Sequence, residues 1–169
     1  MSASPAFAVG RVDAHWCTRN DDVMGGHSRS DVDVHDGVLR FSGTTSLQDN
    51  GGFASIRARG AFDLRAAVAM RLRVRGDGRP YQLRLSTDAR HRESRVSWRG
   101  EFDTRAGEWI EATVVFADMV PTWRGTVLDG PALDLSKVQE VGLLIADGQA
   151  GDFRLEVDWI TPSPGVRGD

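Results

Sequence analysis

Apolar and polar side chains alternate along most of the chain, and turn residues recur about every eight to fifteen positions. Residues 70–75 read MRLRVR and residues 110–115 read IEATVV, so every second side chain is apolar. A period of two places successive side chains on opposite faces of a β-sheet. Nine or ten such segments predict an all-β sandwich or barrel with little helix.

Two local patterns add detail to this prediction. His35-Asp36-Gly37 stands between two alternating segments and is typical of a tight hairpin turn. Residues 141–146 are apolar without interruption, which predicts a strand that is buried on both faces.

We expect a flexible N-terminus over residues 1–8, a single domain over 9–161 and a flexible tail over 162–169.

Composition and charge narrow the class of partner and location. The chain of 169 residues has a formal charge of −3, which argues against nucleic acid as a partner. No apolar run approaches the roughly 20 residues that a membrane span needs. Cys17 is the only cysteine, and residues 1–8 do not resemble a targeting peptide, so we expect a cytoplasmic protein.

Signatures of catalysis are missing from the sequence. The four histidines show no metal-ligand spacing, and neither a GxSxG nucleophile motif nor a phosphate-binding GK[ST] motif occurs. We therefore expect no enzymatic activity, no cofactor and no metal. One alternative stays open, in which Asp21, Asp22 and His27 form the site of a metal-dependent enzyme.

Arginine supplies 20 of the 21 positive charges, because Lys137 is the only lysine. If the strands carrying them are neighbours, six arginines share one basic face, with Gln82 and Ser97 as hydrogen-bonding companions. The alternative is a solvated face whose arginines pair with acidic residues on adjacent strands. The six are Arg71, Arg73, Arg75, Arg84, Arg95 and Arg99, and the acidic residues are Glu101, Glu111, Glu156 and Asp158.

Two glycine-rich segments, NDDVMGG over 20–26 and NGGFAS over 50–55, predict ordered turns with adjoining polar groups. With Trp16, Ser28, Phe41, Gly43 and Arg57, they resemble the complex I intermediate-associated protein 30 family. Later segments agree, namely Gly76–Gly78, Trp109, Pro121–Gly125 and Gly151–Asp158, so the resemblance covers residues 9–161. The resemblance implies a galactose-binding-like jelly-roll sandwich. It also implies the role of eukaryotic members, which are non-catalytic assembly factors of mitochondrial respiratory complex I.

We therefore predict a non-catalytic domain that binds another protein, such as a respiratory-complex subunit, through loops at one end of the sandwich. In this hypothesis glycines shape the surface, charged groups form hydrogen bonds, and Met24 and Trp123 provide apolar contact. A carbohydrate-binding module is the main alternative, with Trp123 in a loop stacking on a sugar ring. A third possibility is that the glycines serve the fold alone. The predicted binding residues are Asp21, Asp22, Met24, Gly25, Gly26, Asn50, Gly51, Gly52, Arg57, Trp123 and Arg124.

Overall fold

The computed structural model describes residues 16–20, 28–47, 52–123 and 126–164. These residues form twelve strands in two antiparallel sheets that pack face to face, with one turn of 3-10 helix at Phe116–Asp118. The predicted all-β sandwich with little helix is confirmed. The alternation of apolar and polar residues along the strands explains this architecture, because each sheet buries one of its faces against the other sheet.

The order of strands mixes distant parts of the chain. The seven-stranded sheet runs β1 (Trp16–Asn20), β4 (Ala54–Phe62), β11 (Val138–Ile145), β6 (Tyr81–His91), β7 (Ser94–Phe102), β9 (Val120–Trp123) and β10 (Thr126–Val127). The five-stranded sheet runs β2 (Arg29–His35), β3 (Val38–Thr45), β12 (Gly151–Pro164), β5 (Ala67–Arg75) and β8 (Trp109–Val115).

The core lies between the sheets and takes alternate residues from both. Leu83 and Leu85 of β6 belong to the same core cluster as Leu72 and Val74 of β5, and all four are fully buried. Burying one such side chain contributes about 1.5–3 kcal/mol to folding. The predicted buried strand over residues 141–146 corresponds to β11, which is central in its sheet.

The predicted hairpin at residues 35–37 joins β2 to β3. Asp36 and Gly37 both have positive φ, 52° and 77°, as the two central residues of a type I′ turn require. Glycine adopts this backbone without strain, and Asp tolerates it better than most side chains. Sequence reasoning succeeds here because the turn is decided by three neighbouring residues.

A bulge in β12 changes the face on which Trp159 stands. The alternation from Phe153 to Val157 predicts that Trp159 is in the core or half-buried, and the register with β5 shifts between Val157 and Trp159. As a result Ile160 is fully buried, whereas Trp159 is half-buried opposite Arg73 on the outer face. Pairing of β12 with β5 continues to Pro164, beyond residue 161.

An ion pair fastens the loops at one end of the sandwich. The guanidinium of Arg79 binds Asp147 in a fork, with Nε–Oδ2 at 2.8 Å and Nη2–Oδ1 at 2.6 Å. The same guanidinium donates to the carbonyl groups of Gln149, Gly151 and Asp152. The Arg79 guanidinium holds the pKa of the Asp147 carboxyl below its ordinary value. This contact ties the start of β6 to the β11–β12 connection.

We expect Leu85→Ala to lower the free energy of unfolding by about 2–5 kcal/mol, because it leaves a cavity between the sheets. Val127, which is 53% exposed on β10, provides the control. Val127→Ala should change stability by less than about 0.5 kcal/mol. Urea denaturation of both variants tests the prediction, and equal losses would contradict the assignment of Leu85 to the core.

We expect Asp147→Asn to cost about 3 kcal/mol at neutral pH, because it leaves the largely buried Arg79 without its carboxylate. The pKa of Asp147 is lower in the folded state than its ordinary 3.8. The pair therefore stabilises the fold fully above that value, and the contribution is lost as the pH falls through the lower, folded pKa. Urea unfolding of the wild-type chain and of Asp147→Asn should be measured from neutral pH into acid. The difference between their free energies of unfolding should become smaller as the pH falls, and a difference that stays constant would contradict the ion-pair argument.

Candidate functional site

The two sheets divide the arginines that the sequence suggested as one face. Arg71, Arg73 and Arg75 lie on β5 in the five-stranded sheet, whereas Arg84 lies on β6 in the seven-stranded sheet. The two groups point away from the core on opposite sides of the sandwich. A single basic face of six arginines is therefore excluded, because the chain crosses between sheets at Gly76–Gly78.

The arginines of β5 are matched by neighbouring groups. Each meets a carboxylate, and tryptophan rings at 4.9–5.7 Å stack against the same guanidinium groups. The ion pairs are Arg71–Glu111, Arg73–Asp158 at 3.5 Å and Arg75–Glu156 at 2.8 Å. The outer face of the five-stranded sheet therefore follows the alternative of arginines paired with acidic residues on adjacent strands.

The outer face of the seven-stranded sheet is different, because several of its polar side chains are buried. Since Tyr81, Leu83 and Leu85 face the core, the alternate residues of β6 point outward, and the register extends this across the sheet. We call this surface the polar face. It comprises Ser55, Arg57, Gln82, Arg84, Ser86, Ser97, Arg99, Thr122 and Glu140.

One row of the register brings three arginines together on the polar face. Gly142 of β11 pairs with Arg57 on one side and with Arg84 on the other, and Arg84 pairs with Arg99. A Cβ at Gly142 would lie 3.5 Å from Cβ of Arg84 and 3.6 Å from Cγ of Arg57. Because that Cβ would also lie only 3.0 Å from the Ile56 carbonyl oxygen, glycine suits this position, where the two arginine stems flank the strand closely.

The positive charges of the three arginines are not equally balanced by carboxylates. Arg57 Nη1 lies 3.2 Å from Oε1 of the buried Glu140, and Arg59 Nε lies 3.4 Å from the other oxygen of that carboxylate. Among the described residues, Arg84 and Arg99 form no ion pair. Glu101 lies across from Gln82 in the next row and is exposed.

Neutral oxygens hold Arg84 in place. Its Nε donates to Gln82 Oε1 at 2.9 Å, and its Nη1 donates to Ser97 Oγ at 3.2 Å and Thr122 Oγ1 at 3.0 Å. Burial, followed by the charges of Arg99 and Arg57, lowers the pKa of Arg84 to about 10. The guanidinium is thus fixed in orientation, and no carboxylate of the described residues pairs with its charge.

The predicted binding residues fall mostly outside the part of the chain that the structure describes. Gly52, Arg57 and Trp123 lie within it, and Arg57 stands on the polar face. Gly52 precedes β4 with a φ of 129°. The other predicted residues lie outside the described residues, and they are Asp21, Asp22, Met24, Gly25, Gly26, Asn50, Gly51 and Arg124.

Trp123 belongs to strand β9 and not to a loop as predicted. Its Nε1 donates to Ser94 Oγ at 2.6 Å, Arg92 lies over the ring at 5.2 Å, and the His91 ring meets it at 5.0 Å. The side chain is half-buried against the β6–β7 hairpin. One face of the indole is therefore engaged within the protein.

The sequence indicated Arg84, Arg99, Gln82 and Ser97 as parts of a basic face. It did not indicate that Thr122 joins them on the polar face or that Gly142 stands between Arg57 and Arg84. The composition of residues 121–126 favours a loop, so nothing local indicated that Thr122 pairs with Ser97. Gly142 lies in an apolar run and offers no signal by itself. Only the order of the strands brings these residues together.

Two kinds of feature are absent from the described parts of the chain, namely a metal cluster and a membrane-spanning helix. Within them, no three His, Cys, Asp or Glu side chains cluster closely enough to hold a metal ion. The alternative site of Asp21, Asp22 and His27 lies outside the described residues. No helix among the described residues has the length and apolar character to cross a membrane.

Comparison of sequences identifies relatives of this chain. The model of the family described as complex I intermediate-associated protein 30 matches residues 6–157. The mitochondrial protein of that name from Mus musculus is 27% identical over 86% of this chain and 51% of its own length. The Drosophila melanogaster protein is 26% identical over 74% of this chain and 44% of its own length. The chain thus spans about half the length of these relatives.

Comparison of structures identifies the same fold in a different setting. The family 11 carbohydrate-binding module of a cellulosomal cellulase from Clostridium thermocellum superimposes with a TM-score of 0.74. The match covers 100% of this chain and 99% of the module, at 9% sequence identity. This likeness supports the galactose-binding-like sandwich, and at such low identity it shows the fold alone.

The expected cytoplasmic location is contradicted by the relatives, which are named as mitochondrial proteins. The expectation rested on a single cysteine and on the first eight residues, and neither observation reports on the compartment in which the relatives act.

We expect Arg99→Gln to raise the free energy of unfolding by about 0.2–1 kcal/mol, because Arg99 stands directly opposite Arg84 and repels it. Arg73→Gln is the matched control on the other sheet. It should lower stability, since Arg73 contacts Asp158 and the Trp109 ring. Urea unfolding at low salt measures both effects, and the gain should shrink as added salt screens the charges. A loss of stability in Arg99→Gln would contradict the repulsion.

Proposed function

Because the chain belongs to the complex I intermediate-associated protein 30 family, we propose that it is a non-catalytic binding domain that assists assembly of respiratory complex I. The observation that carries the proposal is the extent of the family match, which runs over residues 6–157 of 169. The domain would bind a protein partner, namely an assembly intermediate of the complex, and cover its surface until the next subunit joins.

The polar face is the surface that we propose for this contact. It is wide, since its residues come from five adjacent strands of one sheet, and it carries positive charge that the described residues leave partly unmatched. Charged hydrogen bonds from arginine give a protein contact specificity as well as attraction. The five-stranded sheet is less suited, because its outer arginines already bind carboxylates and tryptophan rings.

The predicted residues outside the described part stay candidates for the same contact. Asp21, Arg57 and Arg124 would provide charged hydrogen bonds, whereas Met24 would provide apolar contact. Of these, Arg57 lies on the polar face next to Glu140.

Carbohydrate binding is a second candidate, and the fold likeness to a carbohydrate-binding module over the whole chain favours it. Gln82, Ser97 and Thr122 would supply hydrogen bonds to sugar hydroxyls on the polar face. The proposed stacking of a sugar on Trp123 is weakened, because Arg92 covers one side of the indole ring. Titration with β-glucan oligosaccharides, followed by tryptophan fluorescence, separates this candidate from the first.

We expect disruption of the gene in cells that make this protein to lower fully assembled complex I several-fold and to increase its partial assemblies. The physical reason is that unprotected surfaces of intermediates dissociate or aggregate before the next subunit binds. Native gel electrophoresis with a NADH oxidation stain measures the assembled complex. A second respiratory complex on the same gel provides the control and should not change.

Complementation then tests the surface. The wild-type chain should restore assembly, as should Arg73→Gln on the opposite sheet, whereas Arg84→Gln combined with Arg99→Gln should not. Unchanged complex I after disruption would overturn the assembly role. If the double variant restores assembly fully, the assembly role stands, but the polar face is not the surface that performs it.

A further inference from the structure

We propose that the polar face contains an oxyanion-binding site, formed by Arg84 and Arg99, whose ligand carries a phosphate or carboxylate group. This inference goes beyond the assembly role and does not depend on it, because it concerns the chemistry of one site on the isolated chain. It is carried by three observations on the described residues: the fixed orientation of Arg84, the lack of a carboxylate partner for the pair, and the neutral donors beside it.

The first observation is that Arg84 is oriented before any ligand binds. Its three hydrogen bonds occupy Nε and both N–H groups of Nη1. Arginine has five N–H donors, so the two N–H groups of Nη2 remain, and they bond to none of the described residues. A guanidinium held in place loses little conformational entropy when it binds an anion.

The second observation is that the positive charges of Arg84 and Arg99 are not neutralised within the described chain. Arg57, Arg75 and Arg79 each bind a carboxylate at 2.6–3.2 Å. Arg84 instead donates only to neutral oxygens of the described residues, and Arg99 stands opposite it with neither a hydrogen bond nor an ion pair to those residues. Two opposed like charges destabilise a sheet, and an anion bound between them removes that cost.

The third observation is the presence of neutral donors beside the two arginines. Thr122 donates its own proton to the Ser97 carbonyl at 2.8 Å, which is why its oxygen can accept from Arg84. The Ser97 hydroxyl and the Gln82 side-chain N–H₂ donate to none of the described residues, so both can donate a proton to a ligand. Gly142 places no side chain over the stem of Arg84.

The set of donors selects the class of ligand. Two guanidinium groups with an adjacent hydroxyl and amide match the several oxygens of a phosphate or carboxylate. The chain as a whole carries a charge of −3, so the affinity for an anion must come from this local arrangement and not from the net charge.

Isothermal titration of the purified full chain tests the proposal, with inorganic phosphate and citrate as separate probes at constant ionic strength. We expect saturable binding of at least one probe at a single site. Arg84→Gln and Arg99→Gln should each weaken it about tenfold or more, and Arg84→Lys should weaken it because lysine lacks the planar fork. Arg73→Gln is the matched control and should bind within twofold of the wild-type chain.

The comparison of probes identifies the ligand group, since binding of phosphate alone indicates a phosphate and binding of citrate alone indicates a carboxylate. Circular dichroism verifies that each variant is folded. If Arg84→Gln does not fold, Arg99→Gln decides the question, because that substitution breaks no hydrogen bond of the described residues. The proposed site would be wrong if neither probe binds saturably, or if Arg73→Gln weakens binding as much as Arg84→Gln and Arg99→Gln do. Either result would leave the proposed role in complex I assembly untouched.

Discussion

The burial of alternate side chains between the two sheets determines which way the charged groups on the described strands point. Leu83 and Leu85 must face the core, and a shift of one residue would place them in water. That requirement forces Gln82, Arg84 and Ser86 outward together. The hydrophobic effect thus sets the register of the polar face, although most side chains on that outward side are polar and contribute little to it.

The arginines on the two outer faces differ in the groups that surround them. On β5 each arginine binds a carboxylate, so that Arg75, for example, holds the pKa of Glu156 below its ordinary value. On the polar face Arg84 and Arg99 repel one another while neutral oxygens position one of them. Groups that cost stability yet are held in a fixed geometry are characteristic of binding surfaces. The second arrangement therefore suits recognition, and the first suits folding.

Local features of the fold were predictable and long-range features were not. Alternation identified the strands, and Asp36-Gly37 identified a hairpin, because a few adjacent residues decide both. Sheet membership depends on pairings between distant residues, so the separation of Arg71 from Arg84 could not be derived. The bulge that turns Trp159 outward leaves no local signal either. For the site, sequence supplied Arg84, Arg99, Gln82 and Ser97, whereas Thr122 and Gly142 entered only through the strand order.

The likeness to a carbohydrate-binding module clarifies what the fold leaves open. At 9% identity the two chains keep the same layers, so the inward residues need only be apolar and of suitable volume. The outward residues of a central strand are not constrained by the core in this way, and they can be exchanged while the sandwich persists. A sugar-binding surface and an arginine-rich polar face are therefore compatible with one architecture. The fold therefore does not decide between the two, and the outward residues, such as the row that contains Arg57, Arg84 and Arg99, distinguish one domain of this architecture from another.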